Sequence, residues 1–458
     1  MKNFDVSSQL IKKYNQPVPR YTSYPTVPFW KNDFDVAKWQ DIFQRQFAKE
    51  NNSKGISLYI HLPFCESLCT YCGCNKKITT NHKVEDQYIA AIEKEWNHYK
   101  RLMTEKPVIR EIHLGGGTPT FFSPENLKKL LDIILENSIV HPMHEFGIEG
   151  HPNNTTIEQL QVLYDLGFRR ISYGVQDNDP EVQRVINRIQ PVENVRRATE
   201  NARRIGFTSV NFDLIYGLPL QTLASIERTI NEVIELKPDR IAFYSYAHVP
   251  WTSKAQRLFD ESHLPADEEK VALYLKGSEM LSEAGYSNIG MDHFALPHDA
   301  LYTAREKGIL HRNFMGYTTQ NTNMLLGLGV SAISDAGIAF AQNEKTLHDY
   351  YVAVNEGRLP VKKGYILSNE DLQFRKNILD ISCKGVTVFE ESQLELIEKY
   401  SFPQLELLAA DGLVEYDMTG CKVTPRGHFF IRNICSAFDL HYQRNKVHLQ
   451  KQVFSKAM

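Results

Sequence analysis

CESLCTYCGC, residues 65–74, gathers four of the chain's seven cysteines into one short stretch. Their spacing is uneven. Cys65, Cys69 and Cys72 follow a C-x3-C-x2-C pattern, and Cys74 comes two positions after the third. ISLYIHL (56–62) runs into this stretch and has the make-up of a strand. All four thiols therefore fall at the carboxyl end of a first strand. Outward from there the rhythm repeats. IREIHL (109–114), EFGIEG (145–150), RRISYGVQ (169–176), SVNFDLIYGL (209–218) and RIAFYSYA (240–247) are further strands. Helices are expected at 84–103, 124–136, 156–166, 181–205 and 222–236; Ser123 caps the second of them, with Pro124 at its first position. Six strands alternating with helices predict right-handed βαβ units on a parallel sheet. Periodicity leaves open whether that α/β sheet is open or closes into a full or partial (β/α) barrel. In either case ligands bind at the carboxyl ends of the strands.

The thiols need an explanation that suits this position. A reducing compartment disfavours disulfides, so the cluster reads as metal-binding or catalytic. A closed zinc site usually takes ligand pairs from two segments, and no second pair lies nearby in the sequence. Three well-spaced thiolates and a fourth crowded against the third suit a [4Fe–4S] cluster with three protein ligands and one open iron. Cys383, Cys421 and Cys435 lie scattered among apolar residues and read as core.

The rest of the chain bounds the answer. Its 458 residues are 42% hydrophobic and 23% charged, enough for a large core with additions. A net charge of −3 argues against a nucleic-acid partner. No apolar run approaches the ~20 residues of a membrane span, and MKNFDVSSQLIKKYNQ lacks an export signal, so a cytoplasmic location is expected. Three segments are expected: an N-terminal arm (1–50), a barrel domain with an extension (51–360) and a mostly helical, winged-helix-like domain (361–458). PRYTSYPTVPFW (19–30) is too rich in proline for a regular helix and reads as an extended arm packed on something else. LELLAADGLVEYDMTGCKVTPRGHFFIRNI (405–434) reads helix, short hairpin, helix. No basic stripe marks a recognition helix there, so this module is expected to pack or cover rather than bind DNA.

With Tyr71 directly before Cys72, the loop resembles the radical S-adenosylmethionine (SAM) family, whose signature is C-x3-C-x-aromatic-C. The resemblance implies a full or partial (β/α) barrel. It implies that Cys65, Cys69 and Cys72 ligate the cluster, and that the open iron chelates SAM and generates a 5′-deoxyadenosyl radical. LGGGTPT (114–120), at the end of the second strand, is a tight turn by its glycines alone. In that family such a segment brings backbone groups to SAM, where a side chain would block the approach; Gly116, Gly117 and Thr118 are the candidates.

A narrower resemblance runs from about residue 17 to beyond 435. PRYTSYPT, YIHLPFC, CGCNK, GGGTPT, GVQD, EVQRVINR, DLIYGLP, YAH, GMDHFA, HRNF-GYTTQ and GVSAIS, in this order, look like the oxygen-independent coproporphyrinogen III oxidases of haem biosynthesis. The resemblance implies oxidative decarboxylation of two propionates of coproporphyrinogen III to vinyls, an electron donor for the cluster, an unspecified electron acceptor and a monomer. Carried over by motif, Tyr59, Gly116, Glu149 and Ile333 would meet the first SAM. Gly117, Thr118, Gln176, Arg188, Asp213 and Ala247 would meet a second. Cys74 matches a cysteine that is needed but is not a ligand; a relay of hydrogen or electrons and a shaping of the pocket both stay open. His61 has a catalytic reading and a core reading. Arg20 and Arg312 are candidates for the substrate's carboxylates. Two positions depart from the pattern. Phe314-Met315-Gly316 stands where Phe-Gln-Gly is usual, which puts the second SAM in doubt, and Gly150-His151-Pro152 replaces Val-Asp-Pro. The competing function is haem carriage by a related branch. Cys74, the arm and HRNF-GYTTQ all speak for the oxidase.

Overall fold

The computed structural model describes residues 7–445 and 454–457. Strand β1 (Ile56–Leu62) leaves Gly55, at φ +73°, and ends against Pro63. Its side chains divide by parity, as a pleat requires. Leu58, Ile60 and Leu62 are fully buried in the main apolar core, and Ser57, Tyr59 and His61 face the other way. Strands β2 (Val108–Gly116), β3 (Ile139–Gly150), β4 (Phe168–Gln176), β5 (Ser209–Tyr216) and β6 (Arg240–Ser245) follow. Each pairs parallel with the one before it, so the six expected strands stand side by side in chain order.

The sheet grows at both edges. β7 (Ser287–Gly290) and β8 (His293–Ala295) form an antiparallel ribbon on β6. β9 (Leu325–Leu328) joins β1 in parallel on the opposite side, and β10 (Ile333–Asp335), β11 (Ala339–Asn343) and β12 (Val361–Ile366) continue antiparallel from it. Among the described residues the resulting 12-stranded sheet runs β12-β11-β10-β9-β1-β2-β3-β4-β5-β6-β8-β7. Its end strands do not pair with each other, so the barrel is partial.

Helices cover the outer face. α1 (Ser8–Tyr14) and α2 (Val36–Glu50) precede the sheet; α3 (Val84–Leu102), α4 (Pro124–Leu135), α5 (Ile157–Asp165), α6 (Val192–Ile205) and α7 (Leu223–Leu236) lie between its parallel strands. Tyr88, Ile89, Ile92 and Trp96, the expected face of α3, are all fully buried, and Ser123 caps α4 by accepting from Asn126 N at 3.1 Å. The stretch expected as one helix over 181–205 is two. A short helix (Pro180–Val185) ends before Asn187, at φ +52°, and α6 starts after Pro191. α8 (Asp267–Glu283) packs on α7.

The inner face is polar. Arg240 holds Asp299 with its Nε 2.8 Å from both carboxylate oxygens, and both residues are buried. Arg170 pairs with Glu145 at 3.0 Å, and Ser57 and Thr318 donate to Glu111 at 2.8 and 3.0 Å. Buried charges need such partners. They close the amino-terminal end of the barrel, below the candidate site.

Residues 17–30 form no regular helix beyond one 3-10 turn (Val27–Phe29), in keeping with their prolines, and the chain bends over 22–25. They are flanked by two helices that the sequence reading missed. α1 and the arm's Tyr21 and Tyr24 share an apolar cluster with the C-terminal region, whereas Trp39, Ile42, Phe43 and Phe47 of α2 enter the main core. The C-terminal region has a three-stranded antiparallel sheet (Val386–Val388, Gly420–Val423, Val414–Tyr416) with α9 (Asn369–Lys384), α10 (Phe402–Ala410) and α11 (Ile431–Ala437). The order helix, hairpin, helix over 402–437 is the expected one. Val361–Ile366, just past residue 360, is an edge strand of the large sheet. No helix among the described residues is long and apolar enough to cross a membrane.

Candidate active site at the carboxyl ends of the strands

The cysteine loop leaves β1 through Pro63 and is tied at its base. Phe64–Cys65 pairs with Lys77–Ile78, and the N–H groups of Lys77 and Thr79 donate to Pro63 O and Cys65 O at 2.7 and 2.9 Å. Two other segments hold the loop by its backbone. Asn187 Nδ2 donates to Leu68 O at 2.7 Å, and Thr70 N to Ile186 O at 3.0 Å. Ser253 Oγ donates to Cys72 O at 3.0 Å, and the buried Gln256 donates through Nε2 to Tyr71 O at 2.9 Å and Ala247 O at 3.1 Å. Tyr71 packs on a small apolar cluster of Val182, Ile186, Leu218, Tyr246 and Phe259. The aromatic position of the motif is thus an anchor that fixes Cys72.

Donors point at the sulfurs. Thr118 Oγ1 lies 3.3 Å from Cys65 Sγ, and Arg188 Nη1 lies 3.7 Å from Cys69 Sγ. The Arg188 Nε is buried without a partner. Lys76 Nζ reaches Cys72 O at 3.1 Å. The four thiols are free; Cys65 is buried, Cys69 and Cys72 are half-buried and Cys74 is exposed. The Cys74 thiol donates toward Cys72, which lowers the Cys72 pKa and raises that of Cys74. Burial raises the Cys65 thiol. Three sulfurs presented from one pinned loop, with hydroxyl and guanidinium donors beside them, form a donor set that fits an iron–sulfur cluster. The orphaned Arg188 Nε fits an anionic group above it.

The glycines of LGGGTPT have a second reason besides the approach of a ligand. A Cβ on Gly115 would meet Glu149 Oε1 at 2.9 Å and Tyr59 Cε2 at 3.0 Å. At Gly116, with φ +120°, it would stand 2.8 Å from His61 Cε1 and Nδ1, and at Gly117 2.6 Å from the Pro63 backbone. The β2 end is therefore glycine because Tyr59, His61 and Pro63 of the neighbouring segment already fill the space. Gly117 N donates to Leu62 O and Thr118 N to Phe64 O, at 2.8 and 3.0 Å, which locks this turn to the cysteine loop.

Facing the loop from inside the barrel is a polar ladder. Tyr59 stacks on His113, with ring centroids 6.1 Å apart, and its OH lies 3.1 Å from His61 Nδ1. His61 Nε2 lies 2.9 Å from Asn75 O. A carbonyl only accepts, so Nε2 carries the proton and Nδ1 accepts from Tyr59. Burial lowers the His61 pKa, with partial opposition from the Asn75 carbonyl and Glu149, so the ring is neutral. Glu149 accepts from Gly116 N and pairs with His113 Nε2, both at 3.2 Å. Burial alone would raise its carboxyl, but these partners outweigh burial and hold it below its usual range. Asp213 accepts from Ser172 Oγ at 3.1 Å and Asn211 Nδ2 at 2.9 Å. Burial and the Glu149 charge push it up to about 6.

The remaining expected residues fall around this ladder. Gln176, at φ +68°, ends β4 beside Arg188, whose Nη2 donates to Gly174 O at 2.5 Å. Ala247 follows β6. Ile333 lies on the other flank, on β10, where its backbone crowds Gly327, the register partner of Tyr59. Met315 sits at the tip of a hairpin (His311–Asn313, Gly316–Thr318). His151 donates its N–H to Thr120 Oγ1 at 3.1 Å, and burial followed by the Arg188 charge takes its pKa down to about 3. The sequence reading missed His113, Ser172 and Asn211, and also Ser253 and Gln256. The first three carry a readable signal, polar residues two positions apart in IREIHL (Glu111, His113), RRISYGVQ (Arg170, Ser172) and SVNFDLIY (Ser209, Asn211, Asp213). The last two lie in an irregular segment and carry none.

The Radical SAM superfamily profile matches residues 59–233. The oxygen-independent coproporphyrinogen III oxidase of Escherichia coli (strain K12) is 41% identical over 457 residues, with 98% of each chain covered. The Pseudomonas aeruginosa protein of the same name is 39% identical over 462 residues, again with 98% of each covered. Among solved structures, the E. coli coproporphyrinogen III oxidase, described as a radical SAM enzyme, superposes with a TM-score of 0.88 at 39% identity, covering 96% of this chain and 100% of the other. With its cysteine loop, its partial barrel and near full-length relatives at this level of identity, the chain belongs to the oxygen-independent coproporphyrinogen III oxidases of the radical SAM superfamily.

Proposed function

We propose that the chain converts two propionates of coproporphyrinogen III to vinyls, giving protoporphyrinogen IX in porphyrin biosynthesis without oxygen. The carrying observation is the join of two features at one barrel mouth: a pinned three-thiol loop faces the Tyr59–His61–Glu149 ladder, and the arm and the 311–318 hairpin border the same opening. Arg20 Nη2 donates to Ser245 O at 2.9 Å, at the carboxyl end of β6, and Arg312 Nη2 donates to Arg20 O at 3.5 Å. A reduced [4Fe–4S] cluster held by this loop, together with SAM, would supply the radical chemistry needed to remove a β-hydrogen from a propionate.

The chain's own residues do the holding. Cys65, Cys69 and Cys72 would ligate the cluster. Tyr59, Gly116, Glu149 and Ile333 would receive the first SAM; the Glu149 carboxylate, ionised by its His113 and Gly116 contacts, offers an acceptor for an ammonium or ribose. Gly117, Thr118, Gln176, Arg188, Asp213 and Ala247 would line a second SAM position, with Arg188 as the carboxylate partner. Cys74, exposed and beside Cys72, is the thiol left for catalysis. His61 spends both ring nitrogens inside the protein, on Tyr59 and Asn75, so its role in this reading is to position the loop. An electron donor to the cluster, an acceptor of the released electron, a monomeric state, a cytoplasmic location and the absence of a nucleic-acid partner belong to the same proposal.

The test is anaerobic reconstitution with iron and sulfide, followed by reductant, SAM and coproporphyrinogen III. Protoporphyrinogen IX and carbon dioxide are expected. Tight haem binding without decarboxylation would replace this reading with haem carriage.

A further inference from the structure

At the β6 side of the mouth stands a group that the radical chemistry does not use. Asp292 occupies the turn between β7 and β8, after Met291, which is held at φ +39°. Its carbonyl accepts from Phe243 N at 2.7 Å, which places it beside the carboxyl end of β6. Its carboxyl accepts no hydrogen bond from the described residues, yet the charges of Arg20, Arg432, Arg312 and Lys270 all act on it. These four cations come from four separate segments and converge on three short stretches of backbone. Arg20 donates to Ser245 O at 2.9 Å, and Lys270 Nζ to Tyr246 O at 2.7 Å. Arg432 spends its whole guanidinium on backbone, Nη2 on Val18 O at 2.6 Å, Nε on Pro19 O at 3.4 Å and Nη1 on Lys456 O and Ala457 O at 3.1 and 2.7 Å, so it lends charge to the site rather than a contact; Arg312 Nη2 donates to Arg20 O at 3.5 Å. Arg312 is only 8% exposed, and its Nε is buried without a partner, as is Nδ1 of the adjacent His293.

Burial takes the Lys270 pKa down to about 7, so three guanidiniums and a partly charged amine stand around one carboxyl and leave this half-buried site net positive. Such an excess is costly unless anions complete it. The position suits an anion attached to something large. Asp213, Ala242 and His293 are in register across β5, β6 and β8, so Asp292 lies about 10 Å from the Asp213 end of the ladder, two strand spacings away. We propose that Arg20, Lys270 and Arg312, with the Arg432 charge behind them and Asp292 among them, form a carboxylate-binding site that takes the propionates of the tetrapyrrole that are not being oxidised. This rests on the proposed function for the identity of the substrate. It adds a second, remote point of attachment that fixes which propionate faces the cysteine loop. Burial raises the Asp292 carboxyl despite the four cations, which fits a counter-charge that yields as substrate carboxylates arrive.

The test uses binding alone, so it is separable from turnover. The full chain is titrated with coproporphyrin III, which has four carboxylates, and with mesoporphyrin IX, which has two, by fluorescence quenching. The wild type is expected to prefer coproporphyrin III. Arg20→Met and Lys270→Met should each cut that preference roughly tenfold, the loss of one charge-assisted contact, while mesoporphyrin affinity changes little. Asp292→Asn adds one unit of positive charge and should increase the preference. Equal losses for both porphyrins, an unchanged ratio in both cation variants, or a fall in preference with Asp292→Asn would overturn the proposal. If the ratio behaves as expected but no protoporphyrinogen IX forms, the site stands and the decarboxylation reading fails.

Discussion

Gly116→Ala separates two reasons for the glycine run, approach of a ligand and packing against His61. The backbone there has φ +120°, where an L side chain is strained. Holding alanine in such a region costs about 1–3 kcal/mol. The new Cβ would also stand 2.8 Å from the His61 ring, which cannot retreat while Nδ1 is on Tyr59 and Nε2 on Asn75. Overpacking of this kind costs a further ~1–3 kcal/mol. The single variant should therefore lose about 2–6 kcal/mol before any cofactor is present. In a His61→Ala background the steric part disappears and the backbone part remains. The double-mutant cycle should then show a coupling of about 1–3 kcal/mol. Thermal melts of the four cluster-free proteins under reducing conditions measure it. No coupling would refute the packing argument. Wild-type melting of Gly116→Ala, combined with lost SAM binding after reconstitution, would make ligand approach the whole reason.

Three other outcomes follow from the site and its support. Cys74→Ser should retain the absorbance of the reconstituted cluster and abolish vinyl formation; loss of the absorbance would make Cys74 a ligand. Gln256→Ala removes the donor shared by Tyr71 O and Ala247 O and should make the cluster form less completely and bleach faster in air, as followed by absorbance; unchanged bleaching would show that the loop does not depend on this tie. Glu95 is fully buried, and burial outweighs its bonds from Tyr350, Gly329 and Asn343, raising its carboxyl to about 7. The folded state thus holds this proton more tightly than the unfolded chain. Its contribution is fully present below about pH 4.5 and is lost as pH rises through about 7, a loss on the order of 3 kcal/mol. Glu95→Gln should flatten this slope, so its melting temperature relative to wild type rises between pH 5 and 8; a constant difference would count against the assignment.

The parts of the fold that could be read from the chain are those where one local rule acts alone. The six parallel strands and α3 to α5 follow from period and capping, and their positions agree within a few residues. The 181–205 helix was read as continuous because its apolar spacing survives the break; Asn187 at positive φ and Pro191 interrupt it, and only the first of these needed the structure to be seen. α2 was missed because its Trp39, Ile42, Phe43 and Phe47 stripe follows a proline-rich arm that dominated the reading of residues 1–50. Within the candidate site, the residues read by motif lie where strand ends meet loops. Those missed hold the loop from elsewhere in the chain: Gln256 and Ser253 are more than 180 positions from the Tyr71 and Cys72 carbonyls they bind, and no local pattern reports such a contact.

The polar ladder shows how much information the strand pattern does carry. A parallel sheet covered by helices on both faces should read as continuous apolar runs. These strands instead alternate: Ser57, Tyr59 and His61; Glu111 and His113; Glu145 and Glu149; Arg170 and Ser172; Ser209, Asn211 and Asp213. Alternation means that only one face meets helices. The other must meet water, ligand or its own charges. At the amino-terminal end it meets its own charges, since Arg170 and Arg240 are already spent on Glu145 and Asp299. At the carboxyl end the balance fails. Glu149 and Asp213 have only neutral donors and one histidine, Arg188 keeps an orphaned Nε, and four cations share Asp292. A sheet that pairs its arginines with carboxylates at one end and leaves them without a carboxylate partner at the other is built to be completed there, by groups that bring both a cation for the carboxylates and anions for the arginines.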